Sequence, residues 1–353
     1  MLKSLFALGI AATVSMTATA APDSSTRDML DTPAVKSPLA VRALVNGLAI
    51  AGTRIVAVGQ RGHVLLSDDA GKSWQQADVP VSSDLVAVAF PSANTGWAVG
   101  HDGVVLHSTN AGGRWIRQLD GHRAGSVMVD YYSRDATGGD SKRAVSLEEA
   151  KRFAAQGAEN PFLDVWFENE TTGFVVGAFG LILRTTDGGA NWEPWLHAVD
   201  NPKAFHLYSI RGVAGDVYIV GEQGLVLKLD RTAGRFRAID LPYKGTLFGV
   251  IGNANAVLVF GLRGTVLRST DSGRSWQRIE TGVQVGLTSG TIDNDGRIII
   301  TSQAGHVLAS RDDGASFKPV QIERPVPAAA VISAAKDSLI VGGPRGVHSQ
   351  SLK

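Results

Sequence analysis

A glycine-led motif recurs seven times along this chain and constrains its fold more than any other feature. Each copy pairs a Val-Gly-x-x-Gly turn, or a close variant, with a short apolar run, and most copies then reach an Asp-box of the form Ser-x-Asp-x-Gly-x-x-Trp. The glycines that start the apolar runs are Gly62, Gly103, Gly180, Gly224, Gly264, Gly305 and Gly346. Their spacings are 41, 77, 44, 40, 41 and 41 residues. A period near 40 residues is typical of one four-stranded propeller blade per repeat. The sequence therefore predicts an all-β, seven-bladed propeller.

When the seven copies are aligned, the residues at the Asp and Trp positions of the Asp-box are predicted to have a structural role in the turns. An Asp or Asn there can accept hydrogen bonds from amides of its own turn, and the aromatic ring can pack between neighbouring blades. The box residues are Asp69, Asn110, Asp187, Asp271 and Asp312, with the aromatic residues Trp74, Trp115, Trp192 and Trp276. The fourth copy has lost its box but keeps its glycine half, so we still count seven blades.

The N-terminus predicts export. A basic residue, an apolar run from Leu5 to Val14 and an Ala-x-Ala site form a cleavable signal peptide over residues 1–20. We expect residues 21–31 to be a flexible lead-in and residues 32–353 to form the propeller, in a periplasmic or secreted monomer. Removing the signal leaves 33 basic and 33 acidic residues, so composition gives no reason to expect nucleic-acid binding. The chain has no cysteine, which excludes disulfides and thiolate metal sites.

Counting along the repeat predicts how the ring closes. Residues 32–38 stand at the offset expected for the outermost strand of a blade, yet no blade precedes them. The last copy ends where its own outer strand should begin. We therefore expect the N-terminal segment to complete the seventh blade, on an edge that tolerates Pro33 and Pro38.

The long second interval holds an insertion over about residues 122–159, between blades two and three. Ser146 and Glu149 form a capping box, and residues 150–156 continue a helix that Gly157 can end. Two interpretations remain open: a solvated loop whose helix packs on the ring, or a partner-binding or gating element.

The turns between the second and third strands of the blades differ from copy to copy, which marks their face as the best surface for binding. The alternative is a set of solvated turns. The residues assigned to this partner face are Arg61, His101, Asp102, Glu222, Arg263, Arg345, Tyr131 and Tyr132. The Asp-box turns should lie on the opposite face. Adjacent His101 and Asp102 are a weak acid–base pair, because sequence neighbours rarely orient one another as a dyad requires.

The main enzymatic alternative is a sialidase-like glycosidase, because Asp-boxes are frequent in such propellers. That chemistry needs a tyrosine nucleophile beside a carboxylate, together with arginines that bind the sugar acid. Tyr208 falls in an inner strand but has no evident Glu partner nearby in sequence. The histidines show no metal-ligand spacing, and no cofactor fingerprint is present. The sequence favours a non-enzyme without catalytic residues, metal or cofactor.

The repeat unit resembles the photosystem II stability/assembly factor family. The resemblance rests on residues 95–100 followed by 103–115, and on residues 172–177 followed by 181–192. It implies a seven-bladed propeller that acts as a non-enzymatic scaffold for subunits of a membrane complex. It also implies a basic patch on one face, which Arg61, Arg263 and Arg345 match in type. Because Phe179, Glu222 and Ala304 interrupt that patch, we expect a bacterial envelope complex, such as a transporter, as the client.

Overall fold

The computed structural model describes residues 28–134 and 141–352. Their strands form seven consecutive antiparallel sheets, six with four strands and the last with three. The inner strands contact one another in cyclic order, from the first sheet round to the seventh and back. The predicted all-β, seven-bladed ring is therefore confirmed. The predicted signal peptide and residues 21–27 of the lead-in lie outside the described residues.

Each sheet is one blade, with strands that follow chain order. Blade one contains β1 (Val45–Ala51), β2 (Arg54–Gly59), β3 (Val64–Ser67) and β4 (Gln75–Gln76). Blade two contains β5 (Leu85–Ala89), β6 (Gly96–Gly100), β7 (Val105–Ser108) and β8 (Ile116–Leu119). Blade three contains β9 (Phe162–Phe167), β10 (Gly173–Gly177), β11 (Ile182–Thr185) and β12 (Glu193–Pro194). Blade four contains β13 (Leu207–Val213), β14 (Asp216–Gly221), β15 (Val226–Asp230) and β16 (Arg235–Ile239).

The remaining blades repeat the pattern. Blade five contains β17 (Leu247–Gly252), β18 (Val257–Gly261), β19 (Val266–Ser269) and β20 (Gln277–Ile279). Blade six contains β21 (Leu287–Ile292), β22 (Ile298–Ser302), β23 (Val307–Ser310) and β24 (Lys318–Val320). Blade seven contains β25 (Ala330–Ala335), β26 (Ser338–Gly343) and β27 (Gly346–Ser351).

The hydrophobic core lies between the blades. Seven clusters of buried side chains each join the facing sides of two neighbouring blades. The cluster that joins blades seven and one is the smallest, and its buried members are Ala40, Val45, Ala57 and Leu65. Because burial of apolar area stabilises roughly in proportion to that area, this seam contributes least of the seven.

The prediction that the N-terminal segment completes blade seven is wrong. Residues 28–43, here called the strap, run along the outer side of blades one and two instead. The Ala34 amide donates to the Val79 carbonyl, and Gln76 bonds both to the Ser37 amide and to the Val35 carbonyl. The strap meets blade seven where Ala40–Arg42 passes the start of β27. Proline at positions 33 and 38 removes the amides that a regular ladder would need.

The strap also corrects the predicted lead-in. Met29–Asp31 forms a 3-10 turn, and Leu30 is only 2% exposed. Arg117 of blade two donates to the Leu30 carbonyl and pairs with Asp31. Residues 28–31 are therefore part of the fold.

The insertion is a pair of helices, one more than the sequence predicted. α1 spans Gly121–Arg134, and α2 spans Ser141–Gln156, five residues earlier than the capping box indicated. Gly157 has a φ of +66° and ends α2 as predicted. α1 buries Ala124, Met128 and Tyr132, spaced by four residues on one face. Within the described ranges, neither helix has the length and hydropathy that a membrane span requires.

Candidate partner-binding face

One face of the ring carries the turns between the second and third strands, the connections between blades and the helix pair. We call it the turn face; the other is the Asp-box face. Six of the seven turns are preceded by a glycine, which is required because the start of the inner strand passes close to it; blade six has Ser302 at this position. A Cβ on Gly59 would stand 2.0 Å from the Leu44 carbonyl oxygen, and one on Gly100 would stand 2.0 Å from that of Asp84. The Gln60 amide donates to Leu44, and the His101 amide donates to Asp84. Equivalent bonds fix six of the seven turns to the start of the inner strand of their blades.

The central residue of five of these turns adopts the left-handed conformation, with φ between 51° and 57°. These residues are Arg61, Asp102, Phe179, Gln223 and Arg263. The five residues are of four different types although they occupy equivalent positions of the ring. The same conformation occurs in Asp-box turns, at Ala70, Ala111, Ser272 and Asp313, so it belongs to the turn geometry of the repeat and does not by itself mark a binding surface.

Three predicted arginines lie on this face and are exposed: Arg61, Arg263 and Arg345. None of the ion pairs between described residues uses them. Their cationic groups therefore face solvent, where they can meet an acidic partner.

His101 and Asp102 share a turn but form no dyad. His101 is exposed, and no hydrogen bond between described residues joins the two side chains. Glu222 is already engaged, because its Oε2 accepts the His206 amide at 2.8 Å. That carboxylate also lies 3.4 Å from His206 Nδ1. Glu222 thus belongs to the hydrogen bonding of its own turn.

The two insertion tyrosines are placed differently from the prediction. Tyr132 is 0% exposed, and its hydroxyl lies 3.0 Å from His197 Nδ1, so it is a core residue and offers no contact surface. Burial raises the pKa of its phenol well above the usual value. Tyr131 is half-buried, donates to Glu193 at 2.7 Å and lies under Arg143. Both tyrosines fasten the helix pair to the outer edge of blade three.

The inner strands of all seven blades enclose a polar central channel of about 370 Å³. Arg211 is the only arginine among the described residues that line it. It pairs with Asp164, whose side chain is 5% exposed and also accepts the Ile210 amide. An arginine already committed to a buried carboxylate does not reproduce the cluster of arginines that a sialidase needs.

Tyr208 lies at this channel, and the fold brings it within electrostatic reach of Glu222, although no hydrogen bond between the described residues joins the two side chains. Burial, with a smaller effect of the Glu222 charge, raises the pKa of the Tyr208 phenol. A raised pKa disfavours the phenolate, which is the nucleophilic form. Among described residues, no group of three or more His, Cys, Asp or Glu is arranged to hold a metal.

The Asp-box residues lie in the turns between third and fourth strands, on the other face. Asp69 Oδ1 accepts the Ser73 amide at 2.9 Å, and Ser67 Oγ accepts the Gly71 amide at 2.8 Å. The same bonds recur around Asp271 and Asp312, and with small changes around Asn110 and Asp187. Trp115 and Trp192 are buried, whereas Trp74 and Trp276 are partly exposed. These residues therefore stabilise the turns and pack between the blades.

Sequence reasoning missed an aromatic row on the turn face. Phe179 meets His206 edge to face at 4.7 Å, His206 lies 6.0 Å from Tyr208, and Tyr208 lies 5.5 Å from Phe248. Phe179 is 44% exposed. The signal was available, since Phe179 is the one aromatic residue at a turn position that holds polar residues in every other copy except Ala304.

The geometry thus defines a class: an Asp-box β-propeller with a variable set of turns on one face. The family model described as "Photosynthesis system II assembly factor YCF48" matches residues 45–126 and 148–280, more than half of the chain. The chain belongs to this family, which confirms the resemblance noted from its repeats.

Individual proteins similar to this chain support the same family assignment. The photosystem II assembly lipoprotein Ycf48 of Synechococcus sp. (strain CC9902) is 32% identical over 33% of this chain and 36% of its own length. The chloroplastic photosystem II stability/assembly factor HCF136 of Oryza sativa subsp. japonica is 27% identical over 50% of this chain and 39% of its own length. The matches therefore span between a third and two fifths of these relatives.

Solved structures show the same fold. The structure "YCF48 bound to D1 peptide" aligns with a TM-score of 0.64 at 15% identity, over 90% of this chain and 96% of that one. A streptogramin B lyase aligns with a TM-score of 0.64 at 11% identity, over 89% of this chain and 95% of that one. Since enzymes share the architecture, the fold alone does not decide the activity.

Proposed function

We propose that this protein is a non-enzymatic, exported assembly factor that holds a subunit of a membrane-associated complex on its turn face. The observation that carries the proposal is the set of exposed arginines at repeat-equivalent turns, Arg61, Arg263 and Arg345. Charges placed this way steer and orient an acidic partner segment. Membership of the assembly-factor family supports the role, and the structure of YCF48 bound to a D1 peptide supports a peptide segment as the part that is held.

Export follows from the predicted signal peptide and is supported by a relative that is named a lipoprotein. A protein in the periplasm or outside the cell meets only the outward-facing parts of membrane complexes. We therefore place the client segment in a loop or tail on that side. An envelope complex such as a transporter is the client that the interrupted basic patch suggests.

The test is capture of the client by the tagged mature protein from solubilised envelope. Reversing Arg61, Arg263 and Arg345 to Glu should lower capture and weaken the dependence of residual binding on salt. The matched control reverses Lys72, Arg274 and Arg311, three exposed cations of Asp-box turns. Both triple variants change the net charge equally. Equal loss of capture in both would reject the turn face as the binding surface.

The glycosidase alternative rests on one specific observation, the effect of the Glu222 charge on Tyr208, which lines the channel. It predicts hydrolysis of a fluorogenic sialoside that stops in the Tyr208→Phe variant. We expect no turnover by either protein, and turnover that depends on Tyr208 would overturn the scaffold proposal.

A further inference from the structure

The outermost strand of blade seven has no strand beside it. Each of the other six blades carries a short fourth strand along its third strand, whereas blade seven ends with β27. β27 pairs with β26 over all of its residues, Gly346–Ser351, and with no other strand of the described chain. Blade seven therefore presents an open sheet edge, here called the open edge, at the periphery of the ring.

The register identifies the backbone groups of β27 that face the open edge. The Leu352 amide donates to the Asp337 carbonyl across the hairpin. The pairing with β26 is one-to-one throughout, and alternate residues of an antiparallel strand bond to opposite sides. The amides and carbonyls of Val347, Ser349 and Ser351 therefore point away from β26. Ser349 and Ser351 are exposed, so a further strand can reach them.

The open edge lacks the features that protect exposed strands. Natural edge strands are kept from pairing by charged residues, prolines, bulges or short length. β27 contains no Lys, Arg, Asp, Glu or Pro. It has six residues, whereas the fourth strands of the other blades have two to five. The strap covers its first residue, since a Cβ on Gly346 would stand 2.0 Å from the Val41 carbonyl oxygen. The rest of the strand is a regular edge available for pairing.

A strand added here would also enlarge the smallest seam of the ring. Val347 and Trp74 pack on the core between blades seven and one, and both stay partly exposed. Because successive side chains of a strand point to opposite faces of the sheet, every second side chain of an added strand would face blade one. An apolar side chain at that place would bury area against these two residues.

Exposed arginines surround the open edge. Arg345 immediately precedes β27, and Arg42 lies beside its first residue. On the side of blade six, the Arg324 carbonyl accepts the Gln350 side chain at 3.0 Å. None of the ion pairs between described residues uses these three arginines. Their guanidinium groups are exposed and can meet negative charge on an added strand.

Carboxylates close to the open edge do not balance these arginines. Glu323 is exposed next to Arg324 and offsets one of the three charges. Asp337, at the far end of the hairpin, already pairs with Arg297 at 2.7 Å. The β27 strand of a second copy of this chain would bring no acidic residue either. The charge therefore favours an acidic segment of another protein as the occupant.

We infer that the open edge binds an extended acidic segment of a partner protein, which adds a fourth strand to blade seven. The inference rests on the proposed function and adds how the segment is held. Main-chain hydrogen bonds to Val347, Ser349 and Ser351 supply the attachment, as in other complexes formed by strand addition. The segment runs antiparallel to β27, as the fourth strands of the other blades run to their third strands. Its C-terminal end therefore meets Arg42 and Arg345, and its acidic residues belong at that end.

The experiment selects binders to the full mature chain from a display library of random twelve-residue peptides. Enriched peptides should combine Val, Ile or Thr with Asp or Glu toward the C-terminal end, and should lack proline in the paired stretch. A labelled consensus peptide should bind the wild-type protein, and its affinity should fall as salt rises.

Backbone methylation of the consensus peptide tests strand pairing directly. In an edge strand, alternate amides face the neighbouring strand and the others face solvent. N-methylation of the set that faces β27 should weaken binding about tenfold or more, because donors are lost and the close approach is blocked. N-methylation of the other set is the matched control and should leave the affinity unchanged.

The decisive protein variant is Ser349→Pro. Proline removes the amide that faces the open edge, so peptide affinity should fall about tenfold. Edge strands tolerate proline, so the melting temperature should stay close to that of the wild type. Ser349→Thr keeps the amide and should bind like the wild type. A second variant, Arg42→Glu/Arg345→Glu, leaves the strand unchanged and should prefer a consensus peptide whose acidic residues are replaced by Lys.

Four results overturn the inference: no enriched peptide, enriched peptides without acidic residues, equal effects of the two methylated sets, or equal affinity of the Ser349→Pro and Ser349→Thr proteins. Self-association that Ser349→Pro abolishes, without any peptide binding, would assign the open edge to a second copy and also overturn it.

Capture of the client from solubilised envelope separates this inference from the proposed function. Ser349→Pro keeps Arg61, Arg263 and Arg345 in place. Capture that survives Ser349→Pro but is lost in the triple arginine reversal would reject strand addition and leave the proposed function standing. Peptide binding that needs β27, together with equal loss of capture in both triple variants, would reject the turn face and leave strand addition standing.

Discussion

At the scale of single residues, the Asp-box carboxylates hold their turns and make stability depend on pH. Hydrogen bonds from serine hydroxyls and turn amides lower the pKa of Asp69 and Asp312 to about 2 and also lower that of Asp271. An unfolded aspartate titrates near 3.9. Because the folded pKa is the lower one, the stability these groups contribute is present above about pH 4 and is lost as pH falls toward about 2.

We therefore expect the melting temperature of the wild-type protein to fall steeply between about pH 4 and pH 2. The Asp69→Asn/Asp312→Asn variant should show a shallower fall, since Asn keeps the acceptor oxygen, as Asn110 does for the Arg114 amide. Asp240→Asn, an exposed aspartate in a blade connection, serves as the control. Parallel curves for all three proteins would show that the boxes do not carry the pH dependence.

At the scale of elements, the helix pair depends on close contact between α1 and α2. A Cβ on Gly125 would stand 2.5 Å from Ala154 Cα. Gly125→Val should therefore push the helices apart and make the insertion sensitive to limited proteolysis. Ser126→Val places the same side chain on the exposed side of α1 and should leave the cleavage pattern unchanged. Equal protection of both variants would contradict this packing.

The sequence predicted some elements well and others poorly, for physical reasons. The seven blades were predicted correctly, because the same glycines and apolar runs return at a nearly constant period. α1 was missed because Gly121, Gly125 and Ser126 are weak helix formers. Its stability comes from tertiary burial of one face, which no local rule records. Phe179 was missed as a contact residue because a single exposed ring looks like an ordinary turn residue until its neighbours are known.

At the scale of the whole molecule, the strap supports the weakest junction of the ring. Ala40 belongs to the small core between blades seven and one, and Leu30 is buried against blades one and two. Deleting residues 28–40 should lower the melting temperature. It should also raise hydrogen exchange first in blades one and seven, because neighbour contacts supply the stability of repeat folds. An unchanged melting temperature would contradict this role.

Ring closure was the part of the fold that spacing predicted wrongly. Counting residues along the repeat placed residues 32–38 at the outer-strand position of blade seven. Such a count does not show which residues the segment hydrogen-bonds to. The long-range bonds from Gln76 and Arg117 decide the path of the strap, and they join residues far apart in sequence. The location of Arg61 and Arg263 on the turn face, by contrast, could be predicted directly from strand order.

The central claim is that the turn face, with its helix pair, holds the client. Hydrogen exchange of the protein with and without its captured client tests this most directly. The account predicts slower exchange in Gln60–Gly62, Leu262–Gly264 and α2, with no change in the Asp-box turns around Asp69, Asp271 and Asp312. Protection confined to the Asp-box turns would contradict it.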